Sequence, residues 1–227
     1  MNVNSSKDLG LAQFLIDYPR IRINPSSYSG TELSGDFDFS AQPEDEIRIT
    51  ESYSLQIQLP TKFPSEAPVV FETGGRIPRN GDFHVNPDGS LCLGSPLRLL
   101  FLLSKSPNLL GFAQLCLVPY LYAVSYKLQH SKDFVFGQLA HGTPGELDDY
   151  MNLFGLPSRI QAALALKYLG MKKRKANKLP CPCGCGRRLG VCKFNMLLRD
   201  FRQVLERGDY RKIFSGLNLE QVLAKRD

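Results

Sequence analysis

Residues 53–73, YSLQIQLPTKFPSEAPVVFET, contain the clearest fold signal in the chain. In residues 53–59, apolar side chains alternate with Ser and Gln, so that one face of an extended strand is apolar and the other polar. A period of two predicts a half-buried antiparallel strand. Three prolines then interrupt regular structure before a short apolar strand over residues 69–71. This stretch therefore predicts two strands separated by an irregular, proline-rich turn.

The segments on either side of this stretch predict an α+β fold. Residues 33–41 show the same alternation, and residues 7–18 have the pattern of a short amphipathic helix that ends before Pro19. Further helices are predicted over residues 108–129, 145–154, 157–169, 196–207 and 218–225. A helix, an antiparallel meander and then a series of helices is the layout in which helices pack on one sheet.

Composition and charge describe an ordinary globular protein with a basic tail. Hydrophobic residues make up 43% of the 227 residues, and the net charge is +6. This composition excludes disordered and collagen-like chains. Residues 171–193 hold eight Lys and Arg and no acidic residue, whereas residues 1–170 carry a net charge of −4. The change in charge indicates a domain boundary near residue 170.

The sequence favours a cytoplasmic location without a membrane partner. The first ten residues, MNVNSSKDLG, lack the basic and then apolar pattern of a signal peptide. The most apolar stretch, residues 109–126, is interrupted by Gln114 and Pro119, so we expect a buried core helix rather than a membrane span. In a cytoplasmic protein, six cysteines indicate metal binding or catalysis rather than disulfides.

Residues 83–94, FHVNPDGSLCLG, place His84, Asn86 and Cys92 within nine positions of a turn-rich segment. A cysteine is nucleophilic as the thiolate, which requires partial exposure and a suitable local field. A nearby amide, such as that of Asn86, could donate to the oxyanion formed during acyl transfer. From the spacing alone, Cys92 is also interpreted as a small buried hydrophobic residue between two leucines.

These two stretches together resemble the ubiquitin-conjugating enzyme family. That family has a strand, a Phe-Pro and Pro-Pro turn, a second strand, a His-Pro-Asn motif and a Gly-x-Ile-Cys-Leu active site. The matching residues are Phe63-Pro64, Ala67-Pro68, His84, Asn86, Gly89, Leu91, Cys92 and Leu93. The resemblance covers roughly residues 7–150. It implies a ubiquitin-conjugating (UBC) domain over residues 1–155, followed by a helical, zinc-binding tail over residues 156–227.

The departures from the family pattern point to a particular branch. Val85 replaces the middle proline, the chain has no Trp, and His84 precedes Cys92 by only eight positions. Compact versions of this kind resemble the bacterial relatives, which accompany antiphage defence operons of the cyclic-oligonucleotide (CBASS) type.

The resemblance implies that Cys92 is a thioester carrier. It would accept the activated C-terminus of a partner protein and pass it to an acceptor amine, with Asn86 and His84 as catalytic helpers and no cofactor in that step. The implied client is a cGAS-like nucleotidyltransferase (CD-NTase), or another ubiquitin-like donor. Because no ATP-binding glycine loop is visible in the sequence, a separate activating enzyme would supply adenylation. The alternative is a catalytically silent UBC-fold adaptor that recruits partners through its zinc-binding and basic tail.

Residues 180–193, PCPCGCGRRLGVCK, contain four cysteines within twelve positions, at 181, 183, 185 and 192. Four soft ligands suit Zn²⁺. The segment resembles the SEC-C zinc motif, in which Cys-x-Cys-x8-Cys is followed by His or Cys, and Cys181, Cys183 and Cys192 match its first three ligands. Lys193 occupies the fourth position, so Cys185 is the candidate for the remaining ligand. We expect a structural Zn²⁺ that stabilises a tail too small to build its own core; redox-active or free thiols are the alternative.

The basic run of residues 172–178 has two interpretations. It could bind phosphate or nucleic acid. A solvated linker before the zinc motif explains it as well, since no aromatic residue interleaves with the charges to form a stacking platform.

Overall fold

The structure is a computed structural model that describes residues 9–25, 30–130 and 142–218. The chain divides into two compact units, Met1–Gln138 and Leu139–Asp227. The first unit contains a sheet with flanking helices, and the second contains helices and a cysteine-rich loop. The predicted α+β class is confirmed.

Four antiparallel strands form a meander in which neighbours follow chain order. They are β1 Ile21–Asn24, β2 Thr31–Ala41, β3 Ile49–Leu59 and β4 Val69–Glu72. The predicted strands correspond to β2, β3 and β4 and are confirmed. β1 was not predicted, because it has only four residues and only its first, Ile21, is buried.

The register between β2 and β3 places their apolar residues on one face. Leu33 lies opposite Ile57, and Phe37 lies opposite Tyr53. Each of these four side chains is at most 1% exposed, whereas Ser54 and Gln56, which alternate with them on β3, are only partly buried. The alternation seen in the sequence therefore builds the sheet side of the core.

Helices precede and follow the sheet in the first unit. They are α1 Leu11–Asp17, α2 Pro96–Lys105, α3 Leu109–Phe112 and α4 Val118–His130, with a π-helical turn over Ala113–Leu117. The helix predicted over residues 108–129 is confirmed, and the one over residues 7–18 is confirmed where it is described. α2 was not predicted. It begins at Pro96, and the Ser95 hydroxyl accepts a hydrogen bond from the Arg98 backbone N–H at 3.3 Å.

The π-helical turn lies directly before Pro119. A proline inside a regular helix removes one backbone hydrogen bond and its ring clashes with the preceding turn. A wider turn at this point accommodates the ring, which is a common reason for such irregularities. The chain consequently stays helical from Leu109 to His130.

This helical run is long and apolar enough to cross a membrane by length and composition alone. However, 67% of its apolar window is buried inside the protein. Leu109, Phe112 and Leu117 are completely buried in the core that also contains the sheet residues. This burial is that of the core helix expected from the sequence.

In the second unit, the described residues 142–218 form five α-helices and the cysteine-rich loop. They are α5 Gly142–Phe154, α6 Arg159–Leu169, α7 Lys173–Ala176, α8 Phe194–Val204 and α9 Arg207–Gly216. The rings of Phe154 and Phe201 meet edge to face at 4.9 Å. The helices predicted over residues 145–154, 157–169 and 196–207 are confirmed with shifted ends, and α9 was not predicted. Apart from its first residue, the helix predicted over residues 218–225 lies outside the described residues. α5 belongs to the second unit, while the predicted domain boundary after residue 155 stays a prediction.

Candidate functional site

Residues 84–92 form a tight hairpin closed by a β-turn. The Gly89 backbone N–H donates to the Asn86 carbonyl at 2.9 Å, with Pro87 in the second position of the turn. Gly89 has a φ of 85°, in the left-handed region that glycine adopts without strain. Asn-Pro-Asp-Gly suits this turn, because proline fixes φ at the second position and glycine adopts the positive φ at the fourth. His84 and Cys92 are thus the two ends of the hairpin, and its length explains the short spacing between them.

His84 and Cys92 are paired across this hairpin. The Cys92 N–H donates to the His84 carbonyl at 2.7 Å, and Val85 and Leu91 form the next bridge. His84 has a φ of 52°, a left-handed conformation uncommon for a residue other than glycine. It follows a 3₁₀ turn over Gly81–Phe83 and directs the chain into the hairpin. The eight-residue spacing therefore places the His84 backbone directly opposite Cys92.

The second arm of the hairpin is attached to β4. The Leu91 N–H donates to the Val70 carbonyl at 2.8 Å, and Ser90 forms a bridge with Phe71. Leu91 is buried, while Cys92 is partly exposed and forms no disulfide. A partly exposed thiol held by ordered backbone has the accessibility that a nucleophilic cysteine needs.

The turn also fixes the Asn86 side chain. Its Nδ2 donates to Ser90 Oγ at 3.0 Å, and Ser90 Oγ donates in turn to Asp88 Oδ1 at 2.7 Å. The hydrogen bonds from Ser90 lower the pKa of Asp88. Asn86 is exposed at the tip of the hairpin. The structure thus brings His84, Asn86 and Cys92 into one hairpin, while the catalytic roles of His84 and Asn86 stay predictions.

Two side chains of α4 hold the segment that leads into the hairpin. The Tyr120 hydroxyl donates to the Phe83 carbonyl at 2.8 Å, and Lys127 Nζ donates to the Asp82 carbonyl at 2.9 Å. Lys127 Nζ also lies 5.1 Å from the centroid of the Phe83 ring. Sequence analysis did not find Tyr120 or Lys127, since about forty residues separate them from the loop and no local pattern marks them.

Tyr120 is also a neighbour of Cys92. Its side chain is buried, with 7% exposure. Burial raises the pKa of the Tyr120 hydroxyl, and the charge of the Cys92 thiolate raises it further. Tyr120 therefore remains a neutral hydrogen-bond donor over the physiological pH range.

Cys116 is the other cysteine of the first unit and contrasts with Cys92. It lies in the π-helical turn with 3% exposure. Burial raises the pKa of its thiol to about 12, so almost no thiolate exists at neutral pH. Cys116 is therefore an inert core residue and an internal control for Cys92.

The four cysteines of the second unit form one cluster. Their Sγ atoms all lie within 4.8 Å of one another, a cluster that could hold a metal ion. The Sγ of Cys183 is 3.2 Å from that of Cys181 and 3.6 Å from that of Cys192. Cys185 Sγ is also 3.6 Å from Cys192 Sγ. The structure thus includes Cys185 in the cluster, whereas Lys193 follows it as an exposed side chain.

The backbone around these cysteines explains how closely spaced thiols converge. The Cys181 N–H donates to the Arg187 carbonyl at 2.8 Å, which closes the loop between them. Inside that loop, Gly184 and Gly186 have φ values of 79° and 73°. These left-handed turns reverse the chain after Cys183 and after Cys185, so that alternate residues meet at one centre.

The surroundings of the cluster shift the pKa values of its thiols in opposite directions. Burial raises the pKa of Cys181 and Cys183. Hydrogen bonds from the backbone N–H and then the guanidinium of Arg187 lower the pKa of Cys185 to about 6. The thiolate form of Cys185 is therefore favoured at neutral pH, and cysteines bind metal ions as thiolates.

The geometry fits tetrahedral zinc. With Zn–S bonds of about 2.3 Å, the sulfur atoms of a regular tetrahedron lie about 3.8 Å apart. Three of the separations are 3.2 to 3.6 Å and all lie within 4.8 Å, a range that brackets this value. The residues present therefore fit a four-sulfur metal centre.

No protein-family model, curated protein or solved structure matches this chain.

Proposed function

We propose that the first unit is a ubiquitin-conjugating-enzyme-like acyl transferase that carries a protein C-terminus as a thioester on Cys92. The single observation that carries the proposal is the hairpin itself: a partly exposed thiol on an ordered arm, opposite His84 and next to the Asn86 turn. A buried structural cysteine such as Cys116 has no comparable exposure.

The reaction has two acyl transfers. In the first, the Cys92 sulfur attacks the carbonyl carbon of an activated C-terminus, a carbon–sulfur bond forms, and the activating group leaves with the thiol proton. In the second, an acceptor amine attacks the thioester, an amide forms, and Cys92 leaves as a thiolate that regains a proton. Each step passes through an oxyanion, which hydrogen-bond donors stabilise.

The residues around Cys92 have distinct parts in this proposal. The His84 carbonyl holds the Cys92 backbone at 2.7 Å, and Tyr120 holds the preceding turn. The Asn86 amide, which donates to Ser90 Oγ, is the proposed oxyanion donor, and the His84 side chain is the second helper.

The partners follow from the bacterial branch that the sequence resembles. The donor in this proposal is a cGAS-like nucleotidyltransferase with an activated C-terminus, and a separate enzyme supplies the activation. The setting is antiphage defence of the CBASS type. Six cysteines without a disulfide suit the reducing cytoplasm in which these partners act.

The second unit, in this proposal, binds one structural Zn²⁺ through Cys181, Cys183, Cys185 and Cys192. The ion fixes the loop between Cys181 and Cys192, which has few buried apolar residues of its own. Four sulfur ligands leave no open coordination position, which separates this centre from a catalytic zinc site.

The test is co-expression with the donor and activating partners, followed by intact-mass analysis with and without a thiol reductant. The wild type is expected to carry an adduct of the donor's mass that the reductant releases. Cys92→Ala is expected to lack it, and the matched control Cys116→Ala is expected to retain it.

An adduct that persists in Cys92→Ala would overturn the assignment of Cys92. Absence of any adduct with a competent activating partner would favour the catalytically silent adaptor, since an adaptor keeps its binding activity when Cys92 is replaced.

A further inference from the structure

We propose that the exposed Lys and Arg side chains of residues 172–199 form a surface that binds the phosphate backbone of nucleic acid without sequence preference. We call this the basic surface. Its members share exposure and positive charge, and they are Lys172, Lys173, Arg174, Lys175, Lys178, Arg187, Arg188, Lys193 and Arg199. The proposal goes beyond acyl transfer and does not depend on Cys92.

The stretch of chain that carries the basic surface contains no acidic residue, and Arg187 also hydrogen-bonds the Cys185 sulfur. Residues 171–199 contain no Asp or Glu, and all nine cations are exposed. The ion pairs that the structure gives for the second unit, Arg159–Asp148 and Lys212–Asp209, involve none of them. A Zn²⁺ with four thiolates would carry a charge of only about −2, which offsets a small part of the nine positive charges.

Backbone pairing joins the two halves of the basic surface. The Leu189 N–H donates to the Leu179 carbonyl at 2.9 Å, and the Gly190 N–H donates to the Asn177 carbonyl at 3.0 Å. Pro180 and Arg188 form a bridge between the same two segments. The segment that carries Lys178 is thereby held beside the segment that carries Arg187 and Arg188.

The excess of positive charge lies in the second unit. Residues 139–227 contain 17 Lys and Arg against 8 Asp and Glu, whereas residues 1–138 contain 11 against 14. The first unit is therefore mildly acidic and repels a polyanion, while the second attracts one. Binding is expected to depend on residues 172–199 and not on the overall charge of the chain.

The composition of this surface favours nucleic acid over an acidic protein segment. Protein interfaces have an apolar or aromatic centre surrounded by a polar rim. Here the large exposed apolar side chains are Val191 and Met196, at 62% and 63% exposure, and residues 172–193 contain no aromatic residue. Exposed Lys and Arg side chains suit a ligand whose negative charge repeats along a backbone, and contacts to phosphates carry no sequence information, which predicts sequence-independent binding.

The test measures the binding of the full chain to a mixed-sequence 20-mer duplex DNA and to a single-stranded RNA of equal length. Fluorescence anisotropy is recorded over a series of salt concentrations. For binding through phosphates, the logarithm of affinity falls linearly with the logarithm of salt concentration, with a slope per phosphate contact of about −0.9 for the duplex and about −0.7 for the single strand. Binding to either nucleic acid with such a slope supports the proposal.

A charge-matched pair of variants locates the contact. The triple variant Lys172→Gln, Lys173→Gln, Lys175→Gln is expected to weaken binding and to lower the magnitude of the slope by roughly 3. The control variant Arg48→Gln, Lys62→Gln, Arg79→Gln removes the same charge from exposed positions of the first unit and is expected to leave the slope unchanged. Cys92→Ala is expected to bind like the wild type, so a failure of acyl transfer and a failure of this proposal are distinguishable.

Three results would overturn the proposal: no binding at low salt, an equal loss in both triple variants, or polyglutamate competing as well as DNA at equal charge. The last result would assign the surface to acidic proteins. Unchanged metal content and circular dichroism of the triple variant show that it is folded.

Discussion

Tyr120 connects the core helix α4 to the loop that carries Cys92. Its hydroxyl fixes the Phe83 carbonyl, the next residue has left-handed backbone geometry, and that residue's carbonyl receives the Cys92 N–H. One hydrogen bond from a buried side chain therefore contributes to the position of the proposed nucleophile.

Replacing Tyr120 by Phe is expected to slow thioester formation on Cys92. Loss of this hydrogen bond costs roughly 0.5–1.5 kcal/mol, which lowers the rate by roughly two- to tenfold when the loss acts on the position of Cys92. Single-turnover rates, measured by quenched intact mass, check this. The rate at which iodoacetamide alkylates Cys92 is expected to differ from the wild-type rate in the same variant.

The matched control is Tyr122→Phe on the same helix. The Tyr122 hydroxyl donates to the Ile47 carbonyl at 2.7 Å. Ile47 precedes β3 and does not belong to the loop that carries Cys92. A similar loss of stability without a change at Cys92 is expected. Equal effects of the two variants on the transfer rate would show that Tyr120 acts only through global stability.

Among the elements, the loop after β4 is ordered by one carboxylate. Glu72 is 5% exposed, and its oxygens accept hydrogen bonds from the backbone N–H groups of Gly74, Gly75, Arg76 and Ile77 at 2.9 to 3.4 Å. Arg76 in this loop also pairs with Glu51 at 2.8 Å and lies over the Tyr53 ring. The strand end and the segment before the hairpin are thereby fixed to the sheet.

Glu72→Ala is expected to destabilise the first unit by roughly 2–3 kcal/mol, because four backbone N–H groups lose their charged acceptor. Urea unfolding, followed by circular dichroism, measures the change. Glu66→Ala, at an exposed position of the neighbouring turn, is the control and is expected to stay within about 0.5 kcal/mol. Equal midpoints for the two variants would contradict the role given to Glu72.

The sequence predicted elements whose signal is local and failed where the signal is short or distant. Alternation in residues 33–41 and 53–59 was enough to predict β2 and β3, because one side of each strand faces the core. Helix α2, PLRLLFLLSK, has only ten residues and was not predicted. In the cysteine cluster, the spacing predicted the ligands, but only the left-handed Gly184 and Gly186 show how Cys185 joins them.

At the scale of the whole molecule, two units of opposite charge each contain one candidate site. The thiol of Cys92 belongs to the acidic unit, and the cysteine cluster with the basic surface belongs to the other. The two proposals can therefore be tested separately, with Cys92→Ala for one and cluster variants for the other.

Removal of the metal is expected to loosen the second unit alone. After treatment with a chelator, amide hydrogen exchange is expected to accelerate in residues 179–192 and to remain unchanged in residues 84–92, because the metal stabilises only the loop that binds it. Elemental analysis is expected to give one zinc per chain in the wild type and in Cys116→Ala, and a loss of zinc in Cys192→Ala. Full zinc content in Cys192→Ala would contradict the four-sulfur centre.

The most direct test of the central claim is the mass of the peptide that contains Cys92, after digestion of the co-expressed protein in acid without reductant. The account predicts that this peptide carries the C-terminal residues of the donor through a bond that a thiol cleaves, and that the peptides with Cys116 and with residues 181–192 carry none. An adduct on any other cysteine, or an unmodified Cys92 peptide in a preparation whose activating partner is active, would contradict it.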